Sequence, residues 1–132
     1  MRFLLDTNIC IYFIKGMYNL QNKIDNIGLK NCFISEITLA ELKYGVEKSH
    51  YKTKNASVLE DFMSGVGVIP IFNSLDLYAR EKARLERLGS TIDDFDLLIG
   101  VTAVTNEMIL VTNNETHFSR IDKIKIENRV RS

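Results

Sequence analysis

Acidic and amide residues stand at four well-separated places in this chain of 132 residues, and each place follows or opens a short apolar run. Asp6 closes Phe3-Leu4-Leu5. Glu41 lies on the segment that follows Cys32-Phe33-Ile34. Asp93, Asp94 and Asp96 precede the apolar stretch from Leu97 to Val104, and Thr112-Asn113-Asn114 follows Met108–Val111. Carboxylates brought together from distant segments repel one another and stay ionised only beside a cation. Hard oxygen donors of this kind suit Mg²⁺ or Mn²⁺. Each acid also has a local reading. Asp6 is a good helix N-cap, Thr38-x-x-Glu41 has the spacing of a capping box, and Asp93 and Asp94 suit the positive end of a helix dipole. Asp96 is the exception: a carboxylate leading directly into Leu97-Leu98-Ile99 needs a partner, because burying it alone is costly.

The elements that position these groups follow from the apolar pattern. Short apolar runs without alternation predict buried strands at Phe3–Leu5, Cys32–Ile34, Val66–Ile71 and Met108–Val111, with a last short one at Ile124–Ile126. Between them, helical spacing predicts helices over Ile9–Lys15 (ending at Gly16), Leu20–Ile27, Ser35–Lys48, Ala56–Ser64 and Leu75–Leu88. A further helix opens at Thr91–Asp94 and is apolar almost all round from Leu97 to Val104, as a buried helix is. Strands alternating with helices predict an α/β three-layer sandwich around a central, mainly parallel sheet. Ligands of such sheets bind beyond the carboxyl ends of the strands, which is where these acids stand.

Composition narrows the classes. The length suits one domain, residues 1–132. Apolar residues make up 45% and charged residues 26%, enough for one core without staples. Lys+Arg and Asp+Glu are both 17, so any nucleic-acid contact must be a local patch. The two cysteines, Cys10 and Cys32, make no disulfide framework and read as small buried apolar residues of a reducing compartment. Asp6-Thr7-Asn8 interrupts the first apolar run too early for a signal peptide, and no stretch is long enough to span a membrane. A cytoplasmic protein is expected. There is no P-loop or GxGxxG, no GxSxG elbow and no zinc spacing. His50 lies in a polar stretch and reads as a surface residue. His117 follows the Asn113-Asn114 loop, near enough in sequence to reach the site, but its isolation favours a structural role.

At this point the chain resembles a known family. Phe3-Leu4-Leu5-Asp6-Thr7-Asn8 resembles the opening strand of PIN-domain proteins, and Ile34–Leu42 their second segment with its helical glutamate. Ile92–Gly100 resembles the third, with aspartate before an apolar helix, and Leu110–Phe118 the fourth. The order and spacing match over essentially the whole chain, most closely in the VapC-type toxins of bacterial toxin–antitoxin pairs. The resemblance implies a Mg²⁺-dependent endoribonuclease, with Mn²⁺ as a substitute, whose acids are Asp6, Glu41 and Asp96. It also implies an antitoxin from the same operon, homodimerisation, and transfer or ribosomal RNA as substrate. Metal held by Asp6 and Asp96 would polarise the phosphate, with Glu41 behind it or acting as base. Thr7, Asn8, Thr112 and Asn114 would position ligands or water. The chain departs from the pattern at Asn114, where many members have a fourth aspartate; that removes a charge which Asp94 would partly replace.

RNA at an acidic centre needs flanking cations. The candidates are Lys43, Lys48, Lys52 and Lys54; Arg80, Lys82, Arg84 and Arg87; and Arg120, Lys123, Lys125, Arg129 and Arg131. The run Ile9–Ile14 carries more apolar side chains than one core-facing helix can bury. Ile11, Tyr12, Ile14, Leu39, Leu42, Tyr44 and Val46 are therefore expected to line a groove for an apolar antitoxin segment. Two other classes compete: a non-catalytic RNA- or protein-binding module on the same fold, and a phosphotransfer receiver domain. The receiver needs an aspartate after its central strand, and Val66-Gly67-Val68-Ile69-Pro70, taken as that strand, ends without one. A DxD phosphatase is disfavoured because Asp6-Thr7-Asn8 offers one carboxylate.

Overall fold

The computed structural model describes residues 1–131. Five strands form one all-parallel sheet: β1 (Phe3–Leu5), β2 (Cys32–Ser35), β3 (Gly67–Ile69), β4 (Ile109–Val111) and β5 (Ile126–Glu127), in the spatial order β3-β2-β1-β4-β5. The expected α/β sandwich is thus observed. β1 is the axis. Phe3 and Leu4 register with Cys32 and Phe33 of β2 on one side, and Phe3, Leu4 and Leu5 with Ile109, Leu110 and Val111 of β4 on the other. A strand flanked on both edges and covered on both faces has no solvent side, which is why Phe3-Leu4-Leu5 carries no alternation.

Helices cover both faces. They are α1 (Thr7–Ile14), α2 (Leu20–Ile27), α3 (Glu36–Glu47), α4 (Lys52–Met63), α5 (Leu75–Arg87), α6 (Asp94–Thr105) and the short α7 (Glu115–Phe118). Alternate strand residues point to opposite faces. Phe3 and Leu5 pack with Ile9, Cys10, Leu20, Ile24, Leu59 and Phe62 from α1, α2 and α4. Leu4 packs with Leu85, Leu97, Ile99, Val101 and Phe118 from α5, α6 and α7. At roughly 1.5–3 kcal/mol per fully buried large aliphatic side chain, the two cores are the main stabilising term. Both cysteines are buried and unbridged.

Several boundaries differ from the sequence reading. α4 begins at Lys52, four positions before Ala56, because its first turn is polar and solvent-facing, so no apolar stripe marks it. β3 is confined to Gly67–Ile69; Pro70, which has no N–H to give to a ladder, ends it. β5 is Ile126–Glu127 rather than Ile124–Ile126. The central strand is β1, whereas Val66–Pro70 maps to the edge strand β3. Val66–Pro70 therefore does not exclude a receiver domain, since the central strand does end in an aspartate, Asp6. Gly16 holds φ +72 just past α1, where it passes a hydrogen bond back to Phe13 and lets the chain reverse. No helix of the described residues is long and apolar enough to cross a membrane.

The topology fixes where chemistry gathers. From β1 the chain builds β2 and β3 outward on one side, then crosses over to β4 and β5 on the other. The carboxyl ends of β1, β2 and β4 share one edge, and the connections leaving them diverge there, at the usual ligand crevice of open parallel sheets.

Candidate active site

Asp6 is the first residue beyond β1. It caps α1, its Oδ1 accepting the Ile9 N–H at 2.9 Å. Its Oδ2 accepts a short hydrogen bond from the hydroxyl of Thr112, the first residue beyond β4. The capping reading of Asp6 holds for Oδ1, while Oδ2 is bonded by the residue that follows β4. Thr112 is fully buried and in turn accepts the backbone N–H of Asn114 at 3.0 Å, which shapes the β4–α7 turn. Asp6 is only 5% exposed. Burial lifts its carboxyl from the ordinary 3.8 to about 6, and the charges of Asp96 and Glu41 push the same way; the bonds from Thr112 and Ile9 pull it down only partly.

Glu41 comes from the second turn of α3. Ser35 caps this helix by accepting the Ile37 N–H. The capping box expected from Thr38-x-x-Glu41 is not formed, because the helix is capped one turn earlier, at Ser35, and Thr38 is already its third residue. Glu41 Oε1 instead accepts the Thr7 hydroxyl at 2.6 Å. Thr7 and the fully buried Thr38 hydroxyl lie 3.1 Å apart. A hydroxyl has one proton, so the chain runs Thr38 to Thr7 to Glu41. Among the described residues Oε2 makes no hydrogen bond.

Asp96 sits in the first turn of α6, and its partner is His117 on α7, with Nε2 3.2 Å from Oδ2. The sequence demanded a partner for Asp96 but did not single out His117. Only its place after Asn113-Asn114 hinted at this, since α7 folds back over the start of α6. Burial raises the Asp96 carboxyl, His117 lowers it and Asp93 raises it. Asp93 caps α6 through the Phe95 N–H.

The remaining candidates separate. Asn8 and Asn114 are exposed beside Thr7 and Thr112. Asp94 does not join the centre: its Oδ1 accepts Lys82 Nζ and the Tyr78 hydroxyl, each at 2.8 Å. These partners lie on α5, one and two turns along a neighbouring helix, and they take up the charge that Asp94 was expected to lend. The expected RNA-facing cations are also partly committed. Lys52, Lys82, Arg84, Arg129 and Arg131 pair with Glu47, Asp94, Glu81, Glu127 and Glu115. Lys43, Lys54, Arg80, Arg87, Lys123 and Lys125 make no ion pair among the described residues.

The donors fit a hard divalent cation by kind: three carboxylates, with hydroxyl and amide oxygens around them. No three acidic, histidine or cysteine groups among the described residues are grouped closely enough to hold an ion together. A cation would thus be bound through one or two carboxylates and water, the usual habit of Mg²⁺. Asp6 is the group with most to gain, since it is buried, close to two like charges, and satisfied by only two donors.

Comparison with known proteins gives the family. The PIN-domain family matches residues 3–124. Ribonuclease VapC2 of Rickettsia felis is 40% identical over 131 residues, 97% of this chain and 98% of its own. The tRNA(fMet)-specific endonuclease VapC of Shigella flexneri is 34% identical over 128 residues, 96% and 97% of the two chains. The crystal structure of VapBC2 from Rickettsia felis bound to a DNA fragment from its promoter includes a chain that superposes with a TM-score of 0.90 at 39% identity, covering 97% of this chain and 98% of that one. A family match across nearly the whole sequence, together with relatives of this identity and coverage, places the chain in the PIN-domain family, among the VapC ribonucleases.

Proposed function

We propose that this chain is a Mg²⁺-dependent endoribonuclease, working as a single domain over residues 1–132, and the toxin of a toxin–antitoxin pair. The observation that carries the reading is Asp6: a buried carboxylate whose proton affinity is raised by burial and by Asp96 and Glu41, at the carboxyl edge of a parallel sheet. Asp6 and Asp96 would hold the ion. Once bound, Mg²⁺ supplies positive charge to the scissile phosphodiester and makes water a better nucleophile. The chain's own residues do the rest. Thr112 keeps one Asp6 oxygen fixed, and the Ile9 N–H keeps the other. Thr7 holds Glu41 by Oε1 and leaves Oε2 to take a proton from the attacking water. Asn8 and Asn114, exposed at the rim, are placed to bond substrate or water. The relative named for tRNA(fMet) makes initiator transfer RNA the first substrate to test.

The inhibitor's seat in this reading is a groove of about 380 Å³ between α1, α3 and α4. It is lined by Ile11, Ile14, Leu42, Val46, Val58 and Leu59, with Glu41 at its margin. Four of the seven residues expected to form it do so. Leu39 faces a neighbouring groove shared with Val46, Tyr12 packs edge-on against Tyr18, and Tyr44 stands 65% exposed under Lys48. An apolar antitoxin segment in this groove would bring a cationic side chain to the acids. Homodimerisation belongs to the same reading, with light scattering as its check.

The test is cleavage of labelled transfer RNA by purified chain with Mg²⁺, Mn²⁺ or EDTA, alongside Asp96→Asn. Cleavage should need the metal and vanish in the variant while the fold persists. Full activity in EDTA, or unchanged cleavage by the variant, would refute it.

A further inference from the structure

We infer that His117 sets the orientation of the Asp96 carboxylate and is therefore a positioning residue of the acidic centre. The inference rests on the proposed nuclease reading and deepens it.

Asp96 is the least supported of the three acids. Asp6 has two donors and Glu41 has Thr7, but Asp96 makes no hydrogen bond with any other described side chain. The one ion pair it makes among the described residues is with His117, whose Nε2 lies 3.2 Å from Oδ2. From the other side, Nε2 is shut off from solvent and has no aligned hydrogen-bond partner of its own. A buried donor without a partner is costly, and the imidazole and the carboxylate each lack what the other supplies. A small rotation of Asp96 about its terminal torsion, which is soft, completes the bond.

The imidazole itself is fixed. Its ring meets that of Phe118 edge-on, centroids 5.8 Å apart at 84°. Phe118 is 2% exposed and anchors α7 in the core beneath α6. The contact at Gly100 shows how closely these elements approach: a methyl there would fall 2.2 Å from Ile121 Cδ1 and 3.4 Å from Phe118 Cδ1. The donor thus stands on a rigid support, while the acceptor sits on a half-exposed side chain. With Oδ2 engaged by His117, Oδ1 is left for the cation. Both the neutral Nε2–H tautomer and the imidazolium donate this bond, so the role does not depend on protonation. Groups that orient a ligand from behind typically change metal affinity 10–100-fold when removed, roughly.

The experiment compares wild type, His117→Phe and His117→Gln by calorimetric Mn²⁺ titration of the purified chain and by RNA cleavage across Mn²⁺ concentrations. Phe keeps the aromatic packing on Phe118 and removes the donor; Gln keeps a donor at similar reach. His117→Phe should weaken Mn²⁺ binding by about 10–100-fold and slow cleavage at limiting Mn²⁺, with recovery at high Mn²⁺. His117→Gln should restore most of the affinity. If His117→Phe does not fold, His117→Asn, too short to reach Asp96, takes its place. Wild-type affinity in the donor-free variant, or equal impairment of the Gln variant, overturns the inference while leaving the nuclease reading intact. A wild type that neither binds Mn²⁺ nor cleaves RNA removes the nuclease reading, and this inference with it.

Discussion

Asp6→Asn should make the metal-free protein more stable at neutral pH, and the gain should appear only as pH rises. The folded carboxyl titrates near 6, against 3.8 for the unfolded chain. Between these values the folded state keeps a proton that the unfolded state has released, so stability falls as pH climbs through the window. The favourable contribution is complete below about pH 4 and gone above about pH 6. A shift of about two units at 1.36 kcal/mol each comes to roughly 3 kcal/mol. Asparagine retains an acceptor for the Ile9 N–H but turns its other end against Thr112, and that cost does not vary with pH. The quantity to measure is therefore the difference in unfolding free energy between variant and wild type, from urea titrations in EDTA at pH 4 and pH 7.5. It should rise in the variant's favour by about 3 kcal/mol over that range. Mg²⁺ at a hundred times Kd should stabilise the wild type by about 2.7 kcal/mol, cancelling most of that gain, and do little for the variant. A flat difference between the two pH values would show that burial does not load Asp6 with unfavourable charge, and the argument for a cation site at this residue would fail.

Thr7→Val removes the 2.6 Å bond to Glu41 and leaves the buried Thr38 hydroxyl without a partner. It should cost about 1–2 kcal/mol of stability and lower turnover about tenfold, read by urea unfolding and single-turnover cleavage. Gly100→Ala sets a methyl against the end of the Ile121 side chain, just past α7; the overpacking outweighs the roughly 1 kcal/mol gain in helix propensity and should lower stability by about 1 kcal/mol net, checked by calorimetry. Ile14→Glu and Val46→Glu place charge in the groove between α1, α3 and α4. Each should weaken binding of the proposed antitoxin, measured by calorimetry, while cleavage by the free variants stays near wild type.

What the sequence disclosed and what it hid divide along a physical line. Asp6 and Asp96 were legible as candidates because one closes an apolar run and the other opens one, and Glu41 because it lies on the helix that follows β2; a parallel sheet gathers such residues on only one edge. The groups around them were less legible because their roles are set by neighbours far along the chain. Glu41 stands three positions after Thr38, a spacing that suits a cap, yet its partner is Thr7, which only tertiary packing brings near. Asp94 and Asp96 are two residues apart on one helix, and α5 claims the first while α7 claims the second. Nothing in Asp94-Phe95-Asp96 says which way each carboxylate will turn. His117 lacked any metal-binding spacing because it addresses a carboxylate rather than an ion. The first turn of α4 was missed because it buries almost nothing.

The central position of β1 has a consequence for synthesis. The first strand to leave the ribosome is the one that needs both neighbours, and β4 with Thr112 follows it by about a hundred residues, at a translation rate of roughly 5–20 residues per second. A nascent chain cut short between Leu97 and Met108 already carries Asp6, Glu41 and Asp96, yet it has no wall on the β4 side of β1 and no hydroxyl for Asp6. Pairing β1 with β4 also closes the longest loop in the sheet, which puts it among the slower steps of folding. The centre is therefore completed only when β4 reaches β1, after all three of its acids have already been made.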